Sequence, residues 1–200
     1  MRNCILLFAL LLLALMPAGA TVINFDDLVT VNTWGTVPNA WLDVPSSYAG
    51  MTFTGWEVMN RSAYNTYYSQ SEASLPSDPN FAYSGNDSNN VLRVSSGVPF
   101  LFLGTQLANW PNAVGAVGSV TITGWLGSTQ VGSVTQNLGA WSNSGGISGA
   151  IDRLDFAPST GVFRMDNLEV APVPEPASMA LLGAGLIALG WVGRRRLNKA

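Results

Sequence analysis

Two short acidic pairs stand at opposite ends of the central sequence, Asp26-Asp27 and Asp166-Asn167. Three carboxylates and one amide carbonyl make an oxygen-only set, the kind that a hard cation such as Ca²⁺ takes. They can meet only if the first and last strands lie side by side, and the cation would then be structural. Otherwise each Asp ends a strand, with Asp27 exposed and Asp166-Asn167 bonding its own turn. A second set is aromatic. Trp34, Trp41 and Trp141 fall in or beside Gly, Asn and Pro loops, while Tyr67 and Tyr68 cluster with Tyr64 near Asn60, Arg61 and Asn65. Flat rings with polar edges stack on the C–H faces of sugars while amides and carboxylates bond the hydroxyls. Trp34, Trp41, Trp125, Trp141, Tyr67 and Tyr68 are therefore the candidate glycan contacts, against the reading that they are ordinary strand and core residues. The third set is Glu57, Asp152 and Asp155. Glycoside hydrolysis needs two carboxyls held across a cleft. Asp152 and Asp155 are an odd number of residues apart and face opposite sides of a strand, so a non-enzymatic role is expected, with a carbohydrate-active hydrolase using paired carboxylates as the alternative.

Composition narrows the chemistry further. The sequence has no histidine and one cysteine, Cys4. That excludes Ser-His-Asp and Cys-His catalysis, His-ligated zinc and histidine pH switches. Residues 21–170 carry eleven acids against four arginines. Nucleic acid is not an expected partner, because binding it requires clustered Lys and Arg to neutralise phosphates.

The elements that must position these residues are strands. Short runs rich in Val, Ile, Thr, Phe and Trp alternate with clusters of Gly, Asn, Ser, Asp and Pro, and no central stretch holds a 3.6-residue apolar period. Strands are expected at 21–28, 50–59, 81–83, 91–95, 100–104, 119–126, 130–136, 151–156 and 162–170. Nine strands in one domain of about 150 residues predict an all-β, two-sheet sandwich. In Ser119 to Gln136 the alternation sends Val120 and Ile122 to the core and Trp125 to the opposite face, with Gly127-Ser128 as a two-residue turn. Polar loops are expected at 72–80 and 137–149.

The run VTITGWLGSTQVGSVTQNL, followed by IDRLDF and VFRMDNLEV, resembles the C-terminal half of a recurrent exported PEP-CTERM domain. INFDDL and YAGMTFTGWEVMN resemble its first half. The resemblance implies a jelly-roll sandwich similar to carbohydrate-binding modules, and Trp125 here stands where that pattern has Tyr.

The two ends read as addresses. Residues 1–20 combine Arg2, an apolar run from Ile5 to Met16 and the small-residue exit Ala18-Gly19-Ala20, the pattern of a secretory signal peptide cut before Thr21. Its removal takes away Cys4. After a Pro-rich linker at 171–176, residues 177–193 are apolar and uncharged, and 194–200 form a basic tail with Arg194, Arg195 and Arg196. Seventeen apolar residues reach roughly 25 Å, the short limit for a transmembrane helix. The basic cluster keeps Ala200 cytoplasmic and everything before Pro174 outside. Val173, Pro174, Glu175 and Pro176, the helix and the arginines, in that order, closely resemble the PEP-CTERM sorting signal. That resemblance implies recognition and cleavage by a membrane exosortase, transient inner-membrane anchoring, and then a place at the cell surface or outside the cell, in an exopolysaccharide or biofilm matrix with the exopolysaccharide as partner.

Overall fold

The structure is a computed structural model that describes residues 19–69, 75–85, 91–110 and 118–173, with single helical positions between 183 and 190. Two units separate by their contacts, Ala20–Pro172 on the one hand and Met1–Gly19 with Val173–Ala200 on the other. Within the latter, Gly183, Gly185, Leu186, Leu189 and Gly190 are helical. Residues 1–18 of the expected signal peptide, Pro174 to Pro176, most of the expected span and Arg194 to Arg196 lie outside the described residues. Among the described residues no helix is long and apolar enough to cross a membrane.

Ala20–Pro172 is built almost wholly of strands: β1 (Thr21–Ile23), β2 (Asn32–Trp34), β3 (Val37–Asp43), β4 (Ser47–Tyr48), β5 (Met51–Thr54), β6 (Glu57–Asn60) and β7 (Asn80–Tyr83), then β8 (Leu92–Asn109), β9 (Ser119–Leu126), β10 (Thr129–Asn137), β11 (Ser142–Asn143), β12 (Ile147–Pro158) and β13 (Phe163–Pro172). One two-turn helix, α1 (Arg61–Tyr68), interrupts them. All pairing is antiparallel. One layer runs β10-β9-β12-β8-β5-β4, through the Leu92–Ser95 part of β8. In the other, the later part of β8 pairs β13; β13 is flanked beyond by β1 and β7, and β6, β3 and β2 follow β7. An 18-residue strand would extend roughly 60 Å if straight, so β8 must turn from one layer into the other. Register shifts in β12 between Ile147 and Arg153 mark where its partner strand makes the same turn.

The main core lies between the layers and includes Phe53, Val94, Phe102, Ile122, Leu154 and Met165. In β9 the pleat works as expected. Val120, Ile122 and Gly124 point inward, and Thr121, Thr123 and Trp125 stand on the other face. Gly124 is closely packed, since a Cβ there would lie 3.0 Å from Ile151 and 3.2 Å from Ile147, and those side chains would have to shift to admit it. The turn at Gly127-Ser128 joins Leu126 to Thr129, with Gly127 at φ +59°.

Several expected elements change. The strand expected at 21–28 stops at Ile23, because Phe25 turns into the left-handed region at φ 62°. The runs 91–95 and 100–104 are one strand. The hairpin β2–β3, the short β4 and β11, and α1 were not expected. α1 forms because Asn60 caps it, its side chain accepting from Ser62 N at 2.9 Å, and it stops at Ser69 in the left-handed conformation.

Candidate functional site

The layer containing β6, β7 and β13 is buried on both faces, and this creates the site. In β7 every residue is buried, Ala82 toward the main core and Phe81 and Tyr83 away from it. β13 alternates likewise. Phe163 and Met165 enter the main core, which leaves Arg164 and Asp166 on the outer face. A second apolar cluster covers that face, made of Met59, Tyr64, Phe81, Tyr83 and Trp110. Trp110 is its hub, with ring centroids at 5.2 Å from Tyr64, 5.5 Å from Tyr68, 5.2 Å from Tyr83 and 6.5 Å from Trp34.

Five of the six candidate glycan contacts converge here. Trp34, Trp41, Tyr68 and Trp141 pack half-buried around the cluster. Tyr67 makes edge contacts with Trp34 and Tyr68 and is 45% exposed, the most open of the rings. The Trp34-Gly35 turn presses on it, and a Cβ on Gly35 would lie 2.5 Å from the Tyr67 ring. Helix α1 has two working faces. Tyr64, Tyr67 and Tyr68, at helical spacing, meet the aromatic cluster, while Ser62, Ala63 and Thr66 line a groove of about 610 Å³ with Val31, Pro38 and Asn39. That volume is in the range of small-ligand sites.

Trp125 is the exception. It stands on the outer face of the other layer, half-buried, beneath the Arg153 guanidinium at 4.8 Å. Its indole N–H is buried without a hydrogen-bond partner. The cover is a cross-strand neighbour, since Arg153 is paired directly with Trp125.

Two central residues were not singled out from the sequence. Arg164 is only 3% exposed, donates from Nε to the Asn109 carbonyl at 3.0 Å, and lies over Trp141 at 4.9 Å and Tyr64 at 5.4 Å. Trp110 stands in Asn109-Trp110-Pro111-Asn112, the same Asn and Pro setting that marked Trp34 and Trp41, and that was the signal available for it. For α1, the spacing of Asn60, Tyr64, Tyr67 and Tyr68 was the available sign.

The four residues expected to hold Ca²⁺ do not come together as a set. Asp27 is exposed and accepts from the Tyr48 hydroxyl, which burial and that carboxylate raise above its ordinary pKa. Asn167 adopts φ 48°, and its N–H donates to Asp166 Oδ1 at 2.7 Å, the local turn bond that was the competing reading. Asp166 is wholly buried and also accepts from Ser77 N at 2.8 Å and Ser77 Oγ at 2.9 Å. Asp26 accepts from Asn80 N at 3.1 Å. Protein donors thus occupy both oxygens of Asp166 and one oxygen each of Asp26 and Asp27, and among the described residues no group of three or more His, Cys, Asp or Glu is placed to hold a metal ion. Burial pushes the Asp166 carboxyl up to about 7, against the opposing hydrogen bonds from Ser77 and Asn167 and with added repulsion from Asp26.

The acids considered for hydrolysis are each engaged in holding the fold. Asp152 accepts from Gly127 N at 2.7 Å at the β9–β10 turn. Asp155 pairs with Arg93 at 2.7 Å and Arg153 at 3.4 Å. Glu57 accepts from the Tyr83 hydroxyl, whose pKa is raised by burial and then by this bond.

Residues 172–196 match the PEP-CTERM protein-sorting motif. The motif marks an exported chain that is processed by exosortase, a membrane protease, after transient anchoring by its C-terminal region, and is then displayed at the cell surface. A comparison with curated proteins finds no match. Among solved structures, the K2 cleaved adhesin domain of Lys-gingipain is similar at TM-score 0.43 and 14% identity, over 76% of this chain and 99% of that one. An arabinose-bound MgGH51 α-L-arabinofuranosidase is similar at TM-score 0.41 and 9% identity, over 78% of this chain and 27% of that one. At these values neither likeness speaks to function.

Proposed function

We propose that this chain is a surface or matrix protein whose jelly-roll domain holds glycan without cleaving it, with the exopolysaccharide of its own envelope or biofilm as the ligand. The observation that carries the reading is the gathering of Trp34, Trp41, Tyr67, Tyr68 and Trp141 around Trp110, residues far apart in sequence. Here Tyr67 offers its ring to solvent at the rim, on the helix whose other face borders a groove of mixed polar and apolar lining. Stacking on an open ring and hydrogen bonds from polar groups such as Asn39, Ser62 and Thr66 along the groove are the two things sugar recognition requires. Binding is preferred to hydrolysis because Asp152, Asp155 and Glu57 are committed to structural contacts.

The test is polysaccharide pull-down and glycan-array binding by the purified protein and two variants. Tyr67→Ala should weaken binding about tenfold, a loss of about 1.4 kcal/mol, with a melting temperature close to that of the parent. Trp110→Ala should cost about 3 to 5 kcal/mol of stability. Binding left intact by Tyr67→Ala, or no glycan bound by the parent, would refute the reading.

A further inference from the structure

The antiparallel layer that contains β9 ends at β10, whose only partner among the described residues is β9. Its outer row of N–H and C=O groups is therefore an open template for another strand. Monomeric proteins commonly blunt such an edge with lysine, proline or an inward charge. β10, TQVGSVTQN, carries none of these. Its one irregularity is a register shift between Gln130 and Gly132, close to the turn, which leaves Gly132–Asn137 in unbroken register. That stretch is roughly 20 Å long. The opposite edge of that layer, β4, has two residues.

Charge tells which partner fits. From Val94 to Ile151 the sequence contains no Asp, Glu, Lys or Arg, while residues 21–170 as a whole carry eleven acids and four arginines. Two copies of so acidic a domain repel each other over most of their surface. The neutral stretch that includes β9 and β10 is where they can meet without opposing like charges. We propose that β10 is a self-association seam, pairing antiparallel with β10 of a second copy across a two-fold axis normal to the sheet. This contact is isologous and closes as a dimer. It joins the two β10 layers into one continuous sheet and leaves the Tyr67 rim of each copy free, so the seam stands independently of glycan binding.

Such an axis keeps each face of the sheet on its own side. Ser133 and Thr135, both exposed on one face, therefore lie beside the same residues of the other copy or their neighbours two places away, whichever central residue sits on the axis. The experiment measures the oligomeric state of the full chain in detergent by sedimentation across a concentration series. The double variant Ser133→Lys with Thr135→Lys should weaken dimerisation about fivefold or more through like-charge opposition. Ser133→Glu with Thr135→Glu should do the same, and mixing the two variants should restore the dimer. Thermal melting of each variant checks that it folds, and the acidic variant alone serves if the basic one does not. A parent that stays monomeric throughout the range would overturn the proposal. So would variants that dimerise as strongly as the parent, since the contact would then belong to another part of the chain.

Discussion

Asp166 makes stability fall as pH rises, against the common pattern for carboxylates. In the unfolded chain its carboxyl releases a proton near pH 4, whereas in the folded protein, wholly buried, it keeps the proton until about 7. Between those values the unfolded state binds fewer protons, so the stability this group contributes is complete below pH 4 and is lost as pH climbs through 7. A rise of about three units corresponds to something on the order of 4 kcal/mol. With a urea slope of about 2 kcal/mol per molar for a domain of this size, the unfolding midpoint should move by about 2 M between pH 4.5 and 8. Other carboxylates titrate over part of this range, so the decisive quantity is the difference between the parent and Asp166→Asn. The amide cannot ionise, but both carboxylate oxygens accept backbone N–H groups, from Ser77 and Asn167, and an amide nitrogen cannot serve one of them. The variant should therefore lose about 1 to 3 kcal/mol relative to the parent at pH 4.5, and the parent's advantage should shrink as pH rises to 8. Urea titrations followed by tryptophan fluorescence, with EDTA present so that no cation bridges Asp26 and Asp166, give both curves. A difference that is flat, or that grows in the parent's favour toward pH 8, would refute the argument.

Two further outcomes are expected. Trp125→Ala should cost about 1 to 2 kcal/mol, the value of a partly desolvated cation–π pair and below the cost of a core tryptophan; a urea midpoint that does not move, or a loss above 3 kcal/mol, would contradict the half-covered placement beneath Arg153. Intact-mass measurement of the protein recovered from its native envelope should show a chain running from Thr21 to the Pro174–Pro176 region, and a released form that still carries residues 183–199 would contradict cleavage at the sorting motif.

Alternation along single strands was readable because it is local. Val120, Ile122 and Trp125 took their expected faces, Gly127-Ser128 made its turn, and the tail declared itself through three adjacent features in order. The helix α1 was hidden because eight residues are too few to display a period against a background of strand-forming tyrosines. Which of the two readings of the calcium set would hold was not legible, for a different reason. The side-by-side placement of the first and last strands was the condition for the set, and β1 does pair with β13. Which donors would reach those carboxylates depends on Ser77, Asn80 and Tyr48, residues remote in sequence.

By itself the sequence determined the β class, the absence of histidine chemistry, the pleat of β9 and the sorting address, since composition, parity and linear order need no partner. Only the tertiary structure decided that the outer face of β7 and β13 would be covered, with Arg164 buried among rings, Asp166 desolvated and five aromatics drawn to one rim. Parity says which residues share a face of a strand. Which face meets water follows from the neighbours and the helix laid over it, and burial is the sum of those long-range contacts.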